Sequence, residues 1–206
     1  MMKKYQPTFV TLLLLCFSVL APSRSNAGAP TEQIRASVDK VLVILKNPQL
    51  KSASRTQERR DQLRQVISSR FDFAEMARRS LGSQWRRLTP KDQEEFVWLY
   101  SDLLERAYVG RIEAYDDEKF VYSREKLDGE FAEVNSRIVT QRGDEYSLNY
   151  KLHFVNGDWK VYDVVIENIS LVNNYRSQFN RILSNSSYEE LIRRMKEKQV
   201  DASGEK

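Results

Sequence analysis

The chain of 206 residues holds one cysteine, Cys16, and one histidine, His153. Cys16 lies in an N-terminal stretch built like a removable leader, so the chain left after removal would hold none. Disulfides, thiolate catalysis and cysteine metal sites are thereby excluded, and a lone histidine rules out a multi-histidine metal centre. Glycine is scarce too: Gly28, Gly82, Gly110, Gly129, Gly143, Gly157 and Gly204 are never closer than fourteen residues. Neither GxGxxG nor a phosphate-cradling P-loop can be written with that spacing. Proline stops at Pro90, and no Pro-, Gly- or Ser-rich linker divides the chain. An excess of one charge is also missing. The formal net charge is +4, but removing Lys3, Lys4 and Arg24 with residues 1–27 leaves 30 basic residues against 29 acidic. A balance so close to neutral weakens the argument for nucleic-acid binding, which wants a strongly basic domain or stripe.

What is present begins with an address. Lys3 and Lys4 form a positive start, Phe9 to Leu20 an apolar run, and Ser25-Asn26-Ala27 a small-x-small cleavage signature, the pattern of a secretory signal peptide over residues 1–27. The twelve-residue run is short of the roughly 20 residues that span a bilayer, and no later segment is apolar enough. Residues 28–206 are expected to be an exported single domain.

Its first half has helical period. Ile34, Val38, Val41, Leu42 and Leu45 share one stripe that stops before Pro48. A second helix is expected over about 57–69, with Leu63, Val66 and Ile67 inward. Asp72 and Glu75 form a capping-box pair for a short helix that Gly82 closes. Thr89-Pro90 starts a long helix carrying Phe96, Leu99, Tyr100, Leu103 and Ala107, expected to reach about Tyr115.

The second half changes period to two. Asp128-Gly129, Gly143-Asp144 and Asn156-Gly157 mark hairpin turns, and between them Tyr146, Leu148, Tyr150, Leu152 and Phe154 alternate with Ser147, Asn149, Lys151 and His153. Four antiparallel strands in a meander are expected, near 119–127, 130–141, 145–155 and 158–168. Helices return with Leu171, Tyr175, Gln178, Phe179 and Ile182 on one stripe, and with Ser187 and Glu190 capping a last helix. The class is α+β: a curved four-stranded antiparallel meander with helices on its concave face.

Candidate chemistry is thin. His153 falls on the polar face of its strand, which makes it a solvated histidine. Asp163 and Glu167 interrupt the apolar run Val161 to Ile169; each is best read as a structural acceptor of arginine or helix-amide hydrogen bonds. Four arginine pairs occur, Arg59-Arg60, Arg78-Arg79, Arg86-Arg87 and Arg193-Arg194. Their fork geometry suits a phosphate, but with net charge near zero the usual explanation is a helix face of solvated charge. Nineteen of the 22 aromatic residues lie beyond residue 27, many on inward stripes. Large rings between a long sheet and a long helix either fill a core or line a cavity, and periodicity does not separate the two.

Two stretches carry a resemblance. One is Phe71-Asp72-Phe73 with Met76-Ala77-Arg78, Leu81-Gly82, Trp85-Arg86, Leu88-Thr89-Pro90 and Phe96. The other runs from Trp159 through Asp163 to Glu167, then from Ser170 through Asn173-Asn174-Tyr175 to Phe179. Together they resemble the MlaC family of periplasmic phospholipid-binding proteins, over about residues 31–198, with Asn168 standing where the family commonly has glycine. The resemblance implies a nuclear-transport-factor-like cone and a non-enzymatic carrier that moves diacyl phospholipid between outer and inner membranes. No cofactor, metal or nucleic acid is implied. The implied partners are an outer-membrane lipoprotein–porin complex and an inner-membrane ABC transporter with an MCE-domain ring. On this reading the acyl chains lie against inward positions of sheet and helices: Phe96, Leu99, Tyr100, Leu103, Tyr150, Leu152, Tyr162, Val164, Ile166, Tyr175 and Phe179. Two alternatives stay open, a cone-shaped isomerase or dehydratase with Asp163 as base, and an envelope adaptor with a filled core.

Overall fold

The structure, a computed structural model, describes residues 29–200; the expected signal peptide over 1–27 lies outside them, as do residues 201–206. The element order is α1 (Ala29–Lys46), α2 (Thr56–Arg70), α3 (Phe73–Leu81), α4 (Pro90–Glu113), β1 (Lys119–Asp128), β2 (Phe131–Val139), β3 (Glu145–Val155), β4 (Asp158–Ile166), β5 (Ile169–Ser170), α5 (Leu171–Asn185) and α6 (Tyr188–Lys196). Short 3₁₀ segments at Pro48–Leu50, Ala53–Arg55 and Gly82–Arg87 link the helices. The strands form one antiparallel sheet in sequence order.

Local chemistry accounts for most element boundaries. The Thr89 hydroxyl accepts from the Asp92 amide while the Asp92 carboxylate accepts from Thr89, a complete capping box with Pro90 in the first turn. Asp72 caps α3 by accepting from the Glu75 amide at 2.9 Å, but the expected reciprocal bond from Glu75 is not made. The Asp72 amide donates instead to the Val161 carbonyl at 2.8 Å, and the Glu75 carboxylate turns to Arg78 and Arg79, each at 2.6 Å. Tertiary pairing thus takes over one half of a local motif. At the β3–β4 turn both Asn156 (φ 52°) and Gly157 (φ 88°) have positive φ, as a type I′ hairpin requires; at the β1–β2 turn Gly129 alone does.

The four expected strands are present, and a fifth, two-residue strand follows them. Glu167 (φ 46°) and Asn168 (φ 66°) form a left-handed turn that folds Ile169 and Ser170 back along Ile166 and Val165. The sequence pattern hid this strand because the expected fourth strand ran on to residue 168, through the two residues that make the turn. Asparagine tolerates the left-handed region better than most residues, so Asn168 holds a turn that glycine would also satisfy. Two further irregularities bend the sheet: the register shifts between Tyr122 and Arg124 in β1, and across Tyr162 in β4.

The core divides in two. Met76, Leu81, Phe96, Leu99, Tyr100, Leu103, Tyr175, Phe179, Leu191 and Met195 form a helical cluster between α3, α4, α5 and α6. Ile34 of α1 closes over Val134, Tyr150, Leu152, Trp159, Val161 and Val164 to form a sheet cluster. A small third group, Ile44, Leu50 and Leu63, ties α1 to α2.

Candidate functional site

The eleven residues expected to line a cavity fall into separate places. Phe96, Leu99, Tyr100, Leu103, Tyr175 and Phe179 all belong to the helical cluster, none more than 2% exposed. Their rings interlock: Phe96 meets Phe179 edge-on at 5.6 Å, Tyr100 meets Tyr175 edge-on at 5.6 Å, and Tyr175 stacks on Phe179 at 5.9 Å. Below them Ser80 donates to the Tyr100 hydroxyl at 2.9 Å, and burial pushes that phenol's pKa up. Tyr150, Leu152 and Val164 lie in the sheet cluster, with Ile166 half-buried against it. Tyr162 stands apart. Lys151 pairs with Asp163 and Leu152 with Val161, so Tyr162 is the extra residue of the β4 irregularity. Its ring contacts Phe131 at 6.0 Å and His153 at 5.7 Å, with the Arg79 guanidinium 4.0 Å above it.

The polar residues singled out from the sequence have structural partners. Asp163 is 4% exposed; it accepts from the Ser170 hydroxyl at 2.6 Å and the Val172 amide at 3.1 Å, with the Lys151 ammonium at 4.0 Å. It therefore anchors the first turn of α5, where a helix N-terminus favours negative charge. Glu167, read as an acceptor of arginine or helix-amide bonds, is exposed, and its carboxylate accepts from the amide of Ser147 in β3 instead. His153 is not a solvated residue: it is half-buried, with Nε2 3.0 Å from Asp72 Oδ2. The strand pattern placed it on the face opposite Leu152 correctly, but α3 covers that face through Asp72.

Three of the four arginine pairs each share one carboxylate. Arg59 and Arg60 meet on Glu113 at 2.7 and 2.8 Å, Arg78 and Arg79 on Glu75, and Arg193 and Arg194 on Glu190. The bonds from Arg60 and Arg59 hold the Glu113 carboxyl below the usual range. Burial opposes the charge on Glu75, yet Arg78 and Arg79 outweigh it and lower its pKa also. Among the described residues, no group of three or more acids or histidines is placed to hold a metal.

An opening lies between α1 and the edge strand β1. It is a cleft of about 560 Å³, within the range of roughly 300–1,000 Å³ common for small-molecule sites. Val38, Leu42, Phe120, Tyr122 and Tyr115 supply its apolar wall, with Arg35, Lys46, Lys119, Asp39, Asp117 and Glu118 among its charged lining residues. Two wall residues, Val38 and Tyr122, also pack against the sheet cluster, so the cleft adjoins the apolar inner face of the sheet. None of the eleven expected residues is in this wall. Val38 and Leu42 were visible as part of the α1 stripe, and Phe120 and Tyr122 alternate along β1. Missing from the sequence was the fact that α1 lies along an edge strand without sealing against it. No helix among the described residues is long and apolar enough to cross a membrane.

Comparison with known proteins gives the fold its relatives. A solved structure of the phospholipid-binding protein from Ralstonia solanacearum, in complex with a phospholipid, matches with a TM-score of 0.71 at 25% identity, covering 81% of this chain and 94% of that one. The intermembrane phospholipid transport system binding protein MlaC of Haemophilus influenzae is 22% identical over 92% of this chain and 91% of its own length. The toluene tolerance protein ttg2D of Pseudomonas putida is 22% identical over 82% of this chain and 78% of its own. The family model described as MlaC protein matches residues 35–197, a span from the first turns of α1 to the end of α6, and on that match the chain belongs to the MlaC family.

Proposed function

We propose that this chain is a periplasmic carrier that binds diacyl phospholipid and shuttles it between the outer and inner membranes, without catalysing a reaction. The observation that carries the reading is the apolar-walled cleft between α1 and β1, which adjoins the inner face of the sheet. Membership of the MlaC family and a shared fold with a phospholipid-bound protein support it. The acyl chains enter past Val38, Leu42 and Phe120 and lie against Tyr150, Leu152, Val164 and Ile166 on the sheet. They reach Phe96, Leu99, Tyr100, Leu103, Tyr175 and Phe179 only by displacing ring contacts of the helical cluster. Each buried methylene is worth about 0.8 kcal/mol, and a bilayer offers the chains a similar gain. A carrier that must load and unload therefore needs a dry cavity with affinity balanced against the membrane.

The same reading assigns residues 1–27 to an export signal and 28–206 to one lipid-binding domain. Its partners are an outer-membrane lipoprotein–porin complex and an inner-membrane ABC transporter with an MCE-domain ring. An enzymatic role for Asp163 is disfavoured, because both its oxygens already accept bonds from the start of α5.

Native mass spectrometry of residues 28–206, purified from a bacterial periplasm without detergent, tests the proposal. A co-purified phospholipid in stoichiometric amount is expected. An apo mass that also refuses lipid from liposomes would overturn it.

A further inference from the structure

The wall of the cleft holds a buried polar group that no described residue satisfies. Tyr122 lies in its wall, and the hydroxyl is buried with no hydrogen-bond partner among the described residues. Buried hydroxyls are normally paired, because water's hydrogen bond is otherwise lost without replacement. Tyr122 is the last β1 residue before the register shift at Ser123, and it shares the inward face with Ser136 and Val134 across the strand pair. Directly over its ring, at 4.7 Å from the centroid, sits the Arg35 guanidinium of α1. Arg35 is half-exposed, and its one ion pair among the described residues is a long contact to Glu32 at 3.6 Å. Its donors are therefore poorly used. The other cations of the lining differ: Lys46 is tied to Asp117 at 3.0 Å, and Lys119 is exposed at the far end of the strand. One helical turn beyond Arg35, Asp39 lines the same cleft with no ion-pair partner among the described residues.

We propose that Tyr122 and Arg35 clasp the phosphate of the bound lipid while Asp39 receives a head-group ammonium, so that the site selects zwitterionic aminophospholipids. This deepens the carrier reading and rests on it. The geometry divides the lipid as its chemistry does. The chains follow the apolar wall inward, the phosphate meets an orphaned phenol and a planar guanidinium fork suited to its oxygens, and the amine faces a carboxylate on the neighbouring turn. Burial, opposed by Arg35 and reinforced by the charges of Asp39 and Glu32, pushes the Tyr122 pKa up to about 12, which keeps the phenol a donor at every physiological pH.

The test is competitive loading of the delipidated chain from vesicles containing equal parts of dioleoyl phosphatidylethanolamine, dioleoyl phosphatidylglycerol and dioleoylglycerol, read by native mass spectrometry. The unaltered chain is expected to load phosphatidylethanolamine ahead of the other two. Tyr122→Phe keeps the ring and removes the hydroxyl; with Arg35→Met, on an exposed helix face, it is expected to lower loading of both phospholipids about tenfold while dioleoylglycerol loading holds. Asp39→Asn is expected to erase the preference for phosphatidylethanolamine over phosphatidylglycerol. Phospholipid loading unchanged in both Tyr122→Phe and Arg35→Met, or an equal loss for dioleoylglycerol, would overturn the clasp and leave the carrier reading standing. A chain that loads none of the three lipids would overturn both.

Discussion

The helical cluster and the sheet cluster are built from the same kinds of residue and differ in how they close. In the helical cluster, Phe96 and Tyr100 of α4 lie one turn apart and interlock with Tyr175 and Phe179 of α5, also one turn apart. Four elements surround these rings, so no ring edge is left open. The sheet cluster is covered by α1 across β2 and β4, but along β1 the cover stops at Val38 and Leu42 and leaves a cleft. An edge strand has no next strand to pack against, and β1 bends at Ser123, which sets its line apart from that of a straight helix. Interlocked rings make a rigid block; a helix leaning on an edge strand makes an opening.

Breaking the closed region has the largest expected effect. Phe179→Ala removes a fully buried ring from contact with three others and is expected to cost about 3–5 kcal/mol in urea denaturation. Asp163→Asn comes next. It retains volume but replaces a carboxylate that holds the first turn of α5, and a loss of about 1.5–3 kcal/mol is expected, with lipid loading by the folded fraction unchanged. Leu42→Arg acts in the open region. It places a charge in the cleft wall from a half-buried helix position, so phospholipid loading is expected to fall by at least about tenfold, roughly 1.4 kcal/mol, with little change in melting temperature. If Leu42→Arg unfolds the chain while Phe179→Ala does not, the contrast between a rigid and an open region is wrong.

Acid sharpens the comparison further. Glu113, near the end of α4, is held to α2 by Arg60 and Arg59, and its carboxyl is depressed below the ordinary 4.5. A depressed carboxyl contributes stability above that ordinary value and loses it as the pH falls through the folded value. Glu113→Gln is therefore expected to lower the melting temperature at pH 7 by roughly 2–4 °C, with the gap to the unaltered chain narrowing at pH 3. A constant gap across that range would remove the ion-pair explanation. The smallest effect belongs to Asn168. Its left-handed backbone makes Asn168→Gly nearly neutral, within about 1 kcal/mol, whereas Asn168→Val is expected to be clearly destabilising by thermal melting.

Much of this protein was legible in the chain before any fold was known. Periodicity, the caps at Asp72, Thr89 and Ser187, and the Gly-marked turns placed the helices and four strands to within a few residues, because each depends on neighbours in sequence. The same locality explains what was missed. The short strand at Ile169–Ser170 needed a left-handed pair at Glu167 and Asn168, which the period-two pattern read as the end of the fourth strand. The contact between His153 and Asp72 joins residues far apart in sequence. The cleft residues Phe120 and Tyr122 were ordinary members of an alternating strand, and nothing in β1 alone marks them as walls.

The sequence by itself determined the α+β class, the lack of a multi-histidine cluster and of a glycine-rich phosphate loop, and the inward side of most elements, since these follow from composition and from periods of 2 and 3.6. Only the tertiary structure decided which inward residues fill a core and which border an opening. Apolar side chains obey the same pattern in both cases, and what separates them is whether a facing element is close enough to exclude the space between.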